Sequence, residues 1–235
     1  MAIKLDAAGV NAKVDHPIVD GDAHVLEARL TLLDYVKKIA GPEIALKFEN
    51  MEHPWKYQDV QPIFWGMPSG AHSIDRATAM LPKLFKERLD EAGIDVGIVY
   101  STACLPLMHV RDDELRQVGH RALNHLLADI FNEVGDRLIP NAVIPMFSPE
   151  EAIAELDHAV NELGFKAAVF GTEVRLPIPE VAAKDPDLAK YPQRIYPVAL
   201  DALHDYDPVW QRCMDLKIPV GAHTACRGGG ARHSS

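Results

Sequence analysis

Ile18-Val19-Asp20-Gly21-Asp22-Ala23-His24-Val25-Leu26-Glu27 begins with two β-branched residues and runs into a cluster where charged or imidazole side chains alternate with small ones. Successive side chains of an extended strand point to opposite faces, so Asp20, Asp22 and His24 are expected on one face. A half-buried strand ordinarily keeps one face apolar, whereas here one face turns polar towards its C-terminal end. That is the end at which parallel α/β barrels carry their chemistry. Imidazole nitrogen and carboxylate oxygen suit zinc, manganese or iron, and ligands at i and i+2 reach one ion from the same side. A solvated strand end with turn-forming aspartates is spelled the same way, so D-x-H alone does not separate the two readings.

A second stretch, Lys217-Ile218-Pro219-Val220-Gly221-Ala222-His223-Thr224, repeats the design: an apolar strand closed by a histidine, about 200 residues downstream. Two polar strand ends so far apart meet only if a parallel sheet closes or curves sharply.

Between them, helices alternate with short apolar strands, the pattern of an α/β parallel sheet. Ala28 to Ala40 reads as a helix ended by Gly41-Pro42. The aromatic, proline-rich segment 43–73 then reads as a lid-like insertion over the first strand end. Asp75 to Ala92 carries an apolar stripe capped by Gly93, and Val96 to Tyr100 is a buried strand followed by Ser101, Thr102 and Cys104. Asp112 to Val134 reads as a long helix whose His120 and His125, at i and i+5, do not share a face and read as surface or helix-packing residues. Leu138 to Met146 and Lys166 to Phe170 are strands, separated by a helix that opens at Ser148-Pro149-Glu150-Glu151. Gly171 to about Leu203 reads as a long loop without a period. In it, Arg175 is the candidate substrate-binding residue, placed to clamp a carboxylate, with pairing to Glu173 or Glu180 as the plainer role. The leading architecture is a (β/α)8 TIM barrel. A doubly wound open sheet is the alternative, weakened by the lack of G-x-G-x-x-G after the first strand.

These stretches resemble the amidohydrolase-related metal-dependent hydrolases, a branch that includes nonoxidative aromatic-acid decarboxylases. The family's first strand ends in a metal-binding pair, H-x-H or a variant with Asp or Glu first, matched here by Asp22 and His24. His223 matches the histidine closing its strand five. Asp207-Pro208-Val209-Trp210 is similar to its D-P-x-W helix start, Pro219 to His223 to its P-V-x-x-H strand, and Glu91-Ala92-Gly93-Ile94-Asp95 to its E-x-G-I-D turn. The resemblance implies a divalent ion, Zn2+ or Mn2+, held by Asp22, His24 and His223, with Asp20 as a supporting carboxylate. It implies hydrolysis of an amide, ester or lactone, or nonoxidative decarboxylation, of a small organic acid. Asp22, where most members have histidine, tilts the choice towards harder ions and towards decarboxylation.

Only five strands are counted before Ser235, and the glycine-rich tail with His233 reads as the loop after strand five. The family's later histidine and its proton-handling aspartate are therefore not assignable, and the catalytic residue is unknown. We expect one barrel domain over 1–235, C-terminally incomplete, and marginal or oligomeric because open sheet edges are sticky. An inactive barrel fragment is the alternative to an enzyme. A Schiff-base lyase is disfavoured, because Lys166 lies at the wrong end of its strand.

Composition agrees with one domain. The chain has 235 residues, 48% hydrophobic, and a net charge of −10, which argues against nucleic acid or an anionic membrane and for a small-molecule partner. Three scattered cysteines without C-x-x-C spacing, no signal-like segment and no membrane-length apolar run point to the cytoplasm.

Overall fold

The computed structural model describes residues 7–51, 73–185 and 192–223. Seven strands are described: β1 (Val19–Val25), β2 (Val96–Ser101), β3 (Leu138–Ile144), β4 (Ala167–Phe170), β5 (Glu173–Pro177), β6 (Gln193–Pro197) and β7 (Val220–Ala222). All but β5 and β6 form one parallel sheet in the order β1-β2-β3-β4-β7. Neighbours in sequence are neighbours in space, with helices crossing between them, as in a (β/α) barrel and unlike a doubly wound sheet.

The helices are α1 (Ala7–Asn11), α2 (Arg29–Glu49), α3 (Ser73–Met80), α4 (Pro82–Ala92), α5 (Cys104–Leu107), α6 (Asp113–Phe131), α7 (Pro149–Asn161), α8 (Pro179–Ala182) and α9 (Asp207–Leu216). Two starts are as the sequence indicates. Asp112 accepts the Leu115 N–H at 2.9 Å at the head of α6, and Ser148 Oγ accepts the Glu151 N–H at 3.2 Å at the head of α7. The core lies where α6 and α7 cover β3 and β4, with Leu123, Leu126, Leu127, Leu138, Val143 and Leu156 sealed from solvent.

Three expectations change. The helix after β1 does not end at Gly41-Pro42: Gly41 takes φ 84° and kinks α2, which then continues to Glu49. The expected helix Asp75 to Ala92 is two helices, because Leu81 precedes Pro82 and is held extended (φ −121°, ψ 100°). The long loop after β4 contains the antiparallel ribbon β5–β6, with Glu173 opposite Pro197 and Pro177 opposite Gln193. Of the lid-like insertion, 52–72 lies outside the described residues.

The N-terminal arm is fastened at the bottom of the sheet, where Asn11 Nδ2 donates to Gly93 O (2.8 Å) and the Ile18 N–H donates to Asp95 Oδ2 (2.7 Å). Gly93 is required there: a Cβ would stand 2.5 Å from the Ala7 carbonyl oxygen.

Candidate metal centre

The first strand carries its polar residues through an irregularity. Register with β2 pairs Asp20 with Gly97 and Ala23 with Val99, so Gly21 and Asp22 together stand opposite Ile98. A bulge of this kind re-aims one side chain, and strict alternation from Asp20 to His24 is lost. Asp20 Oδ1 accepts the backbone N–H of Asp22 at 3.0 Å and steadies the bulge from outside the donor set. On the far edge of the sheet, the His223 N–H continues the β4 ladder to Phe170 O at 3.1 Å, which fixes the start of that side chain.

These two edges meet. In a flat sheet of five strands the outer two would stand roughly 19 Å apart, yet the His24 and His223 rings have centroids 5.1 Å apart, edge to face at 79°. The sheet is therefore curled into a trough. Asp22 Oδ1 lies 3.5 Å from both His24 Nε2 and His223 Nε2, and one donor atom from each of the three lies within 4.8 Å of the other two. Ligands about 2.1 Å from one tetrahedral ion sit roughly 3.4 Å apart, so the spacing fits a single divalent ion. The three residues named by the sequence are brought together.

The set is graded in exposure: the Asp22 side chain is 75% exposed, against 11% for His24 and 21% for His223. Burial, then the neighbouring His223, lowers the His24 pKa, while Asp22 opposes the shift. His24 thus presents a lone pair in place of a proton, the form that binds a metal.

Two further residues build this site, and the sequence pattern alone did not single them out. Tyr100, the penultimate residue of β2, packs its ring against His24 (5.8 Å) and His223 (5.3 Å) and closes the trough between them. Burial, then Asp22, raises its phenol pKa. Its hydroxyl crosses β7 at Gly221, where a Cβ would come within 2.7 Å of it. At the end of an apolar run Tyr100 reads as core, and only the curvature of the sheet discloses its position. Glu27 is 7% exposed, and its Oε2 accepts the Ala103 N–H at 2.9 Å, locking the turn after β2 to the end of β1. Burial pushes its pKa up to about 7 against hydrogen bonds from Ser101 and the backbone. Its Oε1 is buried without a partner among the described residues. A single glutamate three residues past a ligand carries no sequence signal.

Ser101 caps the same turn, accepting the Cys104 N–H at 3.0 Å. Arg175 stands on β5 and donates from Nε to Glu173 Oε1 at 2.6 Å, so an internal carboxylate holds its guanidinium. His120 is sealed in the core and His125 packs against His158, as their spacing indicated.

A family model described as amidohydrolase matches residues 53–233. No curated protein matches the sequence. Among solved structures, a dihydroxybenzoic acid decarboxylase from Polaromonas with bound manganese and 2-nitroresorcinol is similar at 18% identity and TM-score 0.54, covering 92% of this chain and 51% of that one. A 2,6-dihydroxybenzoate decarboxylase from Rhizobium is similar at 19% identity and TM-score 0.53, covering 93% and 52%. A 5-carboxyvanillate decarboxylase from Novosphingobium aromaticivorans, with manganese and 4-hydroxy-3-methoxy-5-nitrobenzoic acid, is similar at 15% identity and TM-score 0.54, covering 95% and 53%. The chain spans about half the length of the structures it matches, and the likeness is one of fold.

Proposed function

The chain belongs to the amidohydrolase family, and on that premise we propose that it is the metal-holding part of an enzyme that decarboxylates a small hydroxylated aromatic acid without oxidation. The observation that carries this reading is the donor set of one carboxylate and two imidazoles, Asp22, His24 and His223, converging at the mouth of a curled parallel sheet. A carboxylate in the set adds negative charge and favours harder ions, Mn2+ over Zn2+. The manganese in two of the similar decarboxylase structures supports the same choice.

A divalent ion held by Asp22, His24 and His223 would supply Lewis-acid chemistry there. The chain's residues supply the rest. Asp22 projects furthest into solvent and meets an arriving ion first, while His24 and His223 present neutral nitrogens from opposite edges of the sheet. Tyr100 packs beside both rings and presents an aromatic wall against which a flat substrate stacks. Glu27 holds the turn that carries Ser101 and Thr102 at the rim. Arg175 joins substrate binding only by exchanging Glu173 for a substrate carboxylate.

The test is dialysis of the chain against Mn2+, metal counting, and then carbon dioxide release from a panel of ortho-hydroxybenzoates. We expect about one equivalent of Mn2+, lost in His24→Ala and His223→Ala, and release that depends on it. Lactone or ester hydrolysis without carbon dioxide would move the reaction to the hydrolytic branch, and metal retention indifferent to both substitutions would sink the reading.

A further inference from the structure

On the outside of the barrel wall, α6 and α7 bring two more imidazoles together, away from the mouth. His125 Nε2 and His158 Nε2 lie 3.1 Å apart, with ring centroids at 5.1 Å. His158 Nδ1 faces Glu162 at 3.2 Å, one turn further along α7. We propose that His125 and His158 form a second, exterior site for a nitrogen-preferring divalent ion of the Zn2+ class, independent of the reaction proposed above.

The distance is the first argument. Nitrogens each about 2.0 Å from a tetrahedral ion are roughly 3.3 Å apart, so the two rings already hold the separation of adjacent ligands. The second argument is the carboxylate. Glu162 lies against Nδ1 of His158, so the nitrogen that faces His125 is Nε2. Only one of the two facing nitrogens can carry a proton in that contact, and an ion between them takes its place. A carboxylate on the outer nitrogen of a ligating histidine is the arrangement that orients and strengthens such ligands.

The surroundings carry charges of both signs. Arg121 and Lys38 face His125 as cations, against Asp129 on the same helix, while Glu155 and Glu162 flank His158. Glu162 has a 69% exposed side chain and His158 a 13% exposed one, so an ion can enter from solvent and water can complete its shell.

The experiment uses the full chain carrying Asp22→Asn and His24→Gln, which disable the mouth, dialysed against Zn2+ at pH 7.5. We expect one equivalent of zinc to remain, with the imidazole nitrogen resonances of His125 and His158 both shifting on addition. His125→Gln in that background is expected to weaken zinc binding at least tenfold. Glu162→Gln, which removes no ligand and lies on the surface, is expected to weaken it severalfold. Zinc affinity unchanged by His125→Gln, or resonances of the pair unmoved while zinc binds, would overturn the proposal. Because the mouth is already disabled, neither result bears on the reaction proposed above.

Discussion

The middle of the sheet and its two edges are built on opposite principles. Every residue of β4 is buried, and β3 is buried at five of its seven positions, whereas β1 and β7 bury only Ala23 and Val25 between them. The middle strands are apolar, covered by α6 and α7, and carry no metal-ligating side chain. The edges carry all three residues of the candidate donor set. A residue whose atoms must stay accessible to an ion cannot sit where packing is closed, so the closed packing lies at the centre and the candidate donors at the rim. The rim works only because the centre imposes enough curvature to bring His24 and His223 within reach of Asp22.

If this division holds, the largest effect comes from loosening the centre at a polar point. β2 and β3 pair only from Gly97↔Leu138 to Val99↔Pro140, and beyond that the strands part. Asn124, sealed inside α6, stands in for the missing neighbour: its Nδ2 donates to Val143 O (3.0 Å) and Glu155 Oε1 (2.8 Å), and its Oδ1 accepts the Val143 N–H (2.7 Å). Asn124→Ala leaves those groups buried and unpaired and creates a void. Loss of roughly 3 kcal/mol or more is expected in urea unfolding, with metal retention lost alongside. Intact metal retention at unchanged stability would show that the rim does not depend on the centre.

How much of this was legible in the sequence follows the same division. The convergence of Asp22, His24 and His223 was legible because His24 and His223 stand at the ends of strands, with Asp22 two residues before the first, and because the order of elements resembles one family. Element types across α6, β3, α7 and β4 followed from periodicity and caps. What could not be read depends on three-dimensional closure or on backbone detail. The bulge that separates Asp20 from Asp22 needs the β2 register. The helix past Gly41 survives because a glycine in the left-handed region absorbs the kink, and the break at Leu81 is a proline effect that the apolar stripe masks. Tyr100 and Glu27 acquire roles only once the sheet curls and the turn after β2 is pulled against the end of β1.

The next effect is a pH dependence rooted at the rim. Glu27 has its pKa raised from 4.5 to about 7 by burial, so the folded state prefers the protonated form. The stabilisation is fully present below pH 4.5 and is lost as pH rises through 7. The span sets a ceiling of about 3 kcal/mol. His120, buried with its pKa lowered to about 4, works in the opposite sense: the folded state prefers it neutral, and stability falls as pH drops from 6.5 towards 4. Comparison with Glu27→Gln cancels that contribution. Urea unfolding of the metal-free protein from pH 4.5 to 8 should show stability falling with pH by more in the parent chain than in the glutamine variant. Parallel curves would mean that Glu27 ionises without penalty and does not hold the turn as a neutral group.

The smallest effect is the most local and tests whether the rim is a fitted surface or a loose collection of ligands. Gly221 lies directly under the Tyr100 hydroxyl, and a methyl there would stand 2.7 Å from that oxygen and 3.3 Å from the nearest ring carbon. Tyr100 in turn sits against both histidine rings. Gly221→Ala must therefore push the phenol towards His24 and His223 and spread the donor set. The expected cost is about 1–2 kcal/mol in stability, with metal affinity lower by roughly tenfold on the scale seen when groups that orient ligands are disturbed. Tyr100→Phe removes the oxygen in the closest contact while keeping the ring, so the pair of substitutions should be less than additive: the alanine costs less once the hydroxyl is gone. Strict additivity would mean that Tyr100 and Gly221 act separately, and that the donors on opposite edges are held by their own strands without the phenol packed against them.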